Sequence, residues 1–285
     1  MEHGVQLIEC PRDAMQGWPK MIPAADKVRY INALLRVGFH TIDFGSFVSP
    51  RMIPQMADTA EVVSQLDMSD THSRLLAIIA NTRGALDAVQ FEQIHYLGFP
   101  FSVSPTFQQR NTNSSPDESL LRVSEISELC NRYNKELVVY LSMGFGNPYG
   151  DPYNLEILGD WMRRIESCGV KIMSIADTVG LASPEQVHKV TAAMLPLFPN
   201  AVIGVHLHAA SYKREAKLDA AFKAGCRRFD GAIGGIGGCP MAGNELVGNL
   251  DMLEMVRYFS NQNALDNIDH AALAACKMIS QEIFN

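Results

Sequence analysis

The chain has 285 residues, 47% of them hydrophobic and 19% charged, with a formal net charge of −7. Such values are ordinary for a globular protein with a sizeable core, and the acidic balance argues against nucleic-acid or anionic-membrane binding. Six scattered cysteines without a C-x-x-C pair, an N-terminus lacking an apolar leader and no run of 18 apolar residues predict a reduced, cytoplasmic protein outside the membrane.

No linker, low-complexity tract or charge block divides the sequence, so residues 1–285 are read as one domain. Short β-branched runs alternate with longer amphipathic ones. Strands are expected at 5–10, 40–46, 75–80, somewhere in 95–103, and at 137–142, 171–176, 201–208 and 227–232. Between them the patterning predicts helices at 24–37, 51–66, 85–93, 116–131, 155–168, 184–197 and 213–224. Ser115-Pro116 and Ser183-Pro184 are helix starts, an N-cap serine before an N1 proline, and Gly169 and Gly225 are helix stops. A helix over 246–259 completes the alternation. A further helix at 268–284 is read as a closing element, with a dimer or partner helix as the alternative.

Eight strands separated by helices predict an α/β fold, a (β/α)8 TIM barrel with an additional C-terminal helix. The rival, an open doubly wound sheet, usually carries a glycine-rich turn after its first strand, where this chain has Pro11-Arg12-Asp13. A barrel places its catalytic groups at the C-terminal ends of the strands. Those ends carry Glu9, Arg12, Asp13, Asp43, Ser46, Asn81, Ser142, Asp177, His206, His208 and Asp230.

Alternate residues of a strand share a face, so His206 and His208 can reach one ion while Leu207 packs the other way. Asp13 and a late asparagine would add oxygens, a donor set suited to Mg²⁺ or Mn²⁺ more than to structural Zn²⁺. Arg12, always charged, would face developing negative charge, with Asp43 and Asp177 orienting it or the histidines. Five glycines between Gly231 and Gly238 lead into Cys239 and Pro240, a backbone able to approach a ligand closely.

Glu9 through Gln16, Ser46 through Arg51 with Pro54-Gln55-Met56, His206-Leu207-His208 and Gly237-Gly238-Cys239-Pro240 together resemble the 3-hydroxy-3-methylglutaryl-CoA lyase family of metal-dependent barrels. The resemblance implies that Asp13, His206, His208 and Asn249 bind a divalent cation, with Asn244 the alternative to Asn249. It implies no organic cofactor. It also implies that Arg12 stabilises an enolate and that Cys239 is a catalytic loop thiol. The reaction so implied is retro-Claisen cleavage of an acyl-CoA partner, (S)-3-hydroxy-3-methylglutaryl-CoA, to acetyl-CoA and acetoacetate, a step of leucine degradation. His206 is the expected base, and Asp43 and Asp177 are expected at the substrate with Arg12. A related Claisen synthase or aldolase, and a non-catalytic metal-stabilised barrel, are the competing readings.

Four positions depart from the family pattern: Asp43 stands for a glutamate, Ala209 for an acidic residue, Ala176 for a glycine and Asn147 for a cysteine. Asp43 and Asn147 bear on how the acyl group is held.

Overall fold

Eight parallel strands close in sequence order: β1 (Gln6–Glu9), β2 (Thr41–Ser46), β3 (Arg74–Ile78), β4 (Ile94–Ser102), β5 (Glu136–Ser142), β6 (Ile172–Asp177), β7 (Val202–Leu207) and β8 (Arg228–Gly231). The last returns to the first in register, Gln6 opposite Arg228 and Glu9 opposite Gly231. These elements come from a computed structural model that describes residues 4–238, 247–265 and 267–285.

Helices α1 (Pro11–Gln16), α2 (Ala24–Leu34), α3 (Thr59–Ser64), α4 (Thr82–Ala88), α5 (Pro105–Thr112) and α6 (Pro116–Arg132) accompany the first strands. They are followed by α7 (Leu155–Ser167), α8 (Pro184–Met194), α9 (Arg214–Lys223), α10 (Met252–Asn261) and α11 (His270–Ile283). The predicted caps are present. Ser115 Oγ accepts from Glu118 N while the Glu118 carboxylate accepts from Ser115 N, a full capping box. Ser183 accepts from Gln186 N, and Gly169 takes the left-handed φ of +86° that ends α7.

Three expectations differ from the structure. The helix predicted over 51–66 breaks into a 3-10 turn, Pro54–Met56, and the six-residue α3. Thr59 causes the break: its hydroxyl donates to Met56 O and accepts from Ser46 N, tying the chain to the end of β2. The helix expected from 246 begins only at Met252; residue 246 lies outside the described residues, and Asn249 and Asp251 pair with His208 and Ala232. Two short helices, α1 and α5, were not expected. α5 carries the Ser-Pro start once more, at Ser104-Pro105.

Outward-facing strand residues pack against the helices in one continuous apolar layer. The barrel's lower interior is filled by Leu76, Tyr96, Val138 and Ile172. Above them the filling turns polar, with Tyr140, Ser174, Arg228 and Asp230. α11 closes the wall, burying Leu273 and Cys276, and just past its end Phe284 meets Trp18 and Tyr30 edge-on. No described helix is long and apolar enough to cross a membrane.

Candidate active site

Pro11 starts α1 directly after β1, so Arg12 and Asp13 stand in the first turn of a helix at the barrel's C-terminal mouth. Arg12 is clamped by Asp43 at the middle of β2: Nε approaches Oδ1 at 3.2 Å and Oδ2 at 3.1 Å, and Nη2 bonds Oδ2 as well. Nη1 donates to Asp13 Oδ1 at 3.2 Å and to Gln16 Oε1 at 2.9 Å. A guanidinium has five N–H bonds. Four are thereby used, and among the described residues one Nη2–H is left for a ligand. Burial disfavours the charge on Arg12, but Asp43 and Asp13 outweigh it and hold the cation more firmly than usual. Burial pushes Asp43 up, against the pull of Arg12.

Asp13 joins the two sides of the mouth. Its Oδ1 accepts from Gln16 Nε2 at 2.7 Å, and its Oδ2 accepts from Asn249 Nδ2 at 2.6 Å and from Gly238 N at 3.2 Å. Burial would raise its pKa, but Arg12 first, then the imidazoles when protonated and the Asn249 hydrogen bond, keep it below the usual value. The aspartate is ionised at neutral pH.

His206 and His208 project from the end of β7. His208 Nδ1 lies 3.0 Å from Thr178 O. A carbonyl can only accept, so Nδ1 carries the proton and the neutral ring keeps its lone pair on Nε2. His206 Nδ1 lies 3.1 Å from Asp230 Oδ2, which assigns that ring in the same way. Asp230 is itself held by Arg228 Nη1 at 3.1 Å and Ser174 Oγ at 3.4 Å. The two Nε2 atoms then face each other at 3.1 Å. Two neutral imidazoles have no proton to share there, so the contact is favourable only around a proton or a cation. Two nitrogens at right angles on one ion, each ~2.1 Å from it, would stand ~3 Å apart. Burial lowers the pKa of His208, helped by His206; for His206 burial is outweighed by Asp230, which raises it.

Ligand atoms of Asp13, His206 and His208 all lie within 4.8 Å of one another. Asn249 joins this group through Asp13. Its Nδ2 is spent on Asp13 and on Ile236 O, while its Oδ1, fully buried, has no donor among the described residues. A carboxylate, two imidazole lone pairs and a buried amide oxygen still lacking a partner form a donor set that fits a divalent cation. Gly237 makes this approach feasible: at φ +104° a Cβ would lie 2.7 Å from Asn249 Nδ2 and 2.8 Å from Asp13 O. Cys239 and the alternative ligand Asn244 lie outside the described residues; Gly238, bonded to Asp13, is the residue before Cys239.

Other candidates stand apart. The carboxylate of Asp177 accepts from Lys217 Nζ at 2.6 Å and from Ala182 N, which places it in the scaffold behind His208. The Asn147 side chain is taken up by its own loop, bonding Asp151 O, Tyr149 N and Asp151 N. His206 has Nδ1 on Asp230 and only Nε2 left, so that one nitrogen can hold a cation or take a proton but not both at once. Cys10, His206 and Asp230 form a second close group inside the barrel. There Arg228 already neutralises Asp230, and burial pushes the Cys10 thiol well up, making it a poor ligand.

Sequence reasoning assigned no role to Gln16, Thr178, Lys217 or Arg228, and it read Asp230 only as one of several polar strand ends. The Gln16 contact is an i, i+3 and i, i+4 pattern on α1 and was legible in principle. The others depend on strand register.

A family model described as HMGL-like matches residues 5–279. A hydroxymethylglutaryl-CoA lyase of Bacillus subtilis is 31% identical over 274 residues, 96% of this chain and 91% of that protein. An (R)-citramalyl-CoA lyase of Chloroflexus aurantiacus is 30% identical, covering 93% of this chain and 86% of its own. Among solved structures, an HMG-CoA lyase from Acinetobacter baumannii in complex with coenzyme A and 3-methylmalate superposes with a TM-score of 0.91. It is 28% identical, and the match covers 100% of this chain and 92% of that one.

Proposed function

The chain belongs to the HMGL-like family, and from that premise we propose that it is a divalent-metal-dependent carbon–carbon lyase acting on the CoA thioester of a short, branched 3-hydroxy dicarboxylic acid. The substrate assigned is (S)-3-hydroxy-3-methylglutaryl-CoA, cleaved to acetyl-CoA and acetoacetate. The observation that carries the reading is the meeting of Asp13, His206 and His208, with Asn249 bonded to Asp13, beside an arginine that keeps one N–H free among the described residues.

Asp13, His206, His208 and Asn249 would hold Mg²⁺ or Mn²⁺, whose Lewis acidity lowers the pKa of the substrate's 3-hydroxyl. Deprotonation of that hydroxyl falls to a group other than His206 while both imidazole nitrogens are engaged. As the C2–C3 bond breaks, its electron pair passes to the thioester carbonyl, and the free Arg12 N–H serves the resulting enolate oxygen. Losing one such contact typically costs ~10²–10³-fold in rate. Cys239 is assigned to return a proton to the carbanion carbon; an unperturbed thiol, with a pKa of about 8.5, is largely protonated at neutral pH. Asp43 acts through Arg12, and Asp177 through the scaffold behind His208.

Citramalyl-CoA is the second substrate to test, because a relative of nearly equal identity is named for it. Purified protein with Mg²⁺ or Mn²⁺ should release acetoacetate from 3-hydroxy-3-methylglutaryl-CoA and stop when the cation is chelated. Turnover of citramalyl-CoA alone would move the substrate assignment. Turnover that survives chelation would remove the cation from the proposal.

A further inference from the structure

Lys217 on α9 is fully buried, and its ammonium meets three acceptors: Asp177 Oδ2 at 2.6 Å, His208 O at 2.8 Å and Gly180 O at 3.0 Å. An ammonium has three donors, and here each has an acceptor. Without Asp177 a lysine in this position would be too costly to keep charged. The acceptors belong to two pieces of the mouth. Asp177 ends β6 and Gly180 lies in the turn after it, while His208 directly follows β7.

That turn also carries Thr178. Its carbonyl accepts from His208 Nδ1, and its hydroxyl accepts from Met143 N at the end of β5. His208 is therefore held twice through one cation. Lys217 grips its backbone carbonyl directly, and grips the turn whose carbonyl orients its ring. His208 also forms an antiparallel bridge with Asn249, so a shift of His208 would be passed to a second of the proposed ligands.

We propose that Lys217 is a positioning residue that fixes the His208 imidazole with Nε2 toward Asp13, and so sets how tightly the mouth binds a divalent cation. This rests on the reading of Asp13, His206, His208 and Asn249 as cation ligands. Removing the partners that orient a metal-binding histidine typically weakens the metal 10–100-fold.

A second buried lysine supplies the control. Lys27 on α2 bonds Asp58 Oδ1 at 2.7 Å, Oδ2 at 2.8 Å and the Gln55 carbonyl. The chemistry matches that of Lys217, but none of these partners belongs to the proposed cation ligands.

The test is Mn²⁺ binding, read by electron paramagnetic resonance of the free and bound ion, in wild type, Lys217→Met, Lys217→Met/Asp177→Asn and Lys27→Met. The double variant removes both buried charges and guards against a single variant that fails to fold. Both Lys217 variants should bind Mn²⁺ ~10–100-fold more weakly and give a broadened bound-ion spectrum. At saturating Mn²⁺ their KM for the CoA ester should stay within about threefold of wild type, because uniform substrate binding is untouched. Lys27→Met should keep wild-type Mn²⁺ affinity even where its melting temperature falls as far. Wild-type Mn²⁺ affinity in the double variant would overturn the inference, and so would an equal loss in Lys27→Met. Absence of Mn²⁺ binding in wild type would overturn the cation reading itself, and is distinguishable from both.

Discussion

On the β1–β2 side of the mouth, Arg12 is enclosed by Asp43, Asp13 and Gln16 and keeps one N–H among the described residues. On the β6–β8 side, His206 and His208 direct Nδ1 at Asp230 and Thr178 and keep two lone pairs. Both sides are buried and densely hydrogen-bonded, yet the unused capacity has opposite sign. One side is left with a donor, suited to an oxygen that gains negative charge; the other is left with acceptors, suited to a cation. What identifies the site is thus less the list of polar residues than which hydrogen-bonding groups remain after the protein's own partners are counted. Asp13 is where the two ledgers meet, one oxygen facing Gln16 and Arg12, the other facing Asn249 and Gly238.

Breaking that shared residue should have the largest effect. Asp13→Asn removes the anionic ligand and one of the two carboxylates around Arg12, so both sides fail together. Turnover should fall by on the order of 10³-fold or more, with cation affinity lost in the same variant. If metal content stayed at the wild-type level, Asp13 would belong to the arginine side alone. Arg12→Met separates the sides in the other direction. Its kcat should drop ~10²–10³-fold with little change in KM, while Mn²⁺ affinity stays near wild type. A KM rise with unchanged kcat would make Arg12 a ground-state anchor.

Asp230→Asn is the milder break on the histidine side. A carboxylate can only accept, so it holds the proton on His206 Nδ1 and the lone pair on Nε2. An asparagine can donate instead, which permits the opposite tautomer. Cation affinity should weaken ~10–100-fold, less than for loss of a ligand, and kcat at saturating Mn²⁺ should largely recover. Unchanged affinity would mean that strand geometry alone orients His206.

The barrel and half of this site were legible before any coordinates. Alternation of eight strand runs with helical ones led directly to the closed sheet, and the two-residue spacing of His206 and His208 put both rings on one face. Asp13 was legible as a strand-end carboxylate. The supporting partners were not: Asp230 lies 24 residues from His206 and Lys217 lies 40 from Asp177, and only the pairing of β7 with β8 and the packing of α9 bring them together. Secondary-structure patterning failed where tertiary bonds compete with it. Thr59 stops a helix that propensity favoured, and the bridges of Asn249 and Asp251 delay α10 despite good helical spacing. α5 is a different kind of miss, since Ser104-Pro105 repeats a start signal recognised at Ser115 and Ser183.

The smallest effect lies at the opposite end of the barrel and sharpens the contrast from outside. His40 precedes β2 at the foot, stacked near Tyr96, with its Nδ1 2.9 Å from Thr41 Oγ1. Burial, then Arg228 and Arg74, depress its pKa from 6.5 to about 4. A histidine depressed in the folded state binds fewer protons there than in the unfolded chain. Its contribution to stability is therefore complete above pH 6.5 and is lost as pH falls toward about 4. Thermal unfolding across that window should show a drop in Tm that is smaller in His40→Gln. Mn²⁺ affinity at neutral pH should be the same in both proteins, because the foot holds no group of the cation site. An acid-induced drop that persists in full in His40→Gln would show that His40 is not the titrating group.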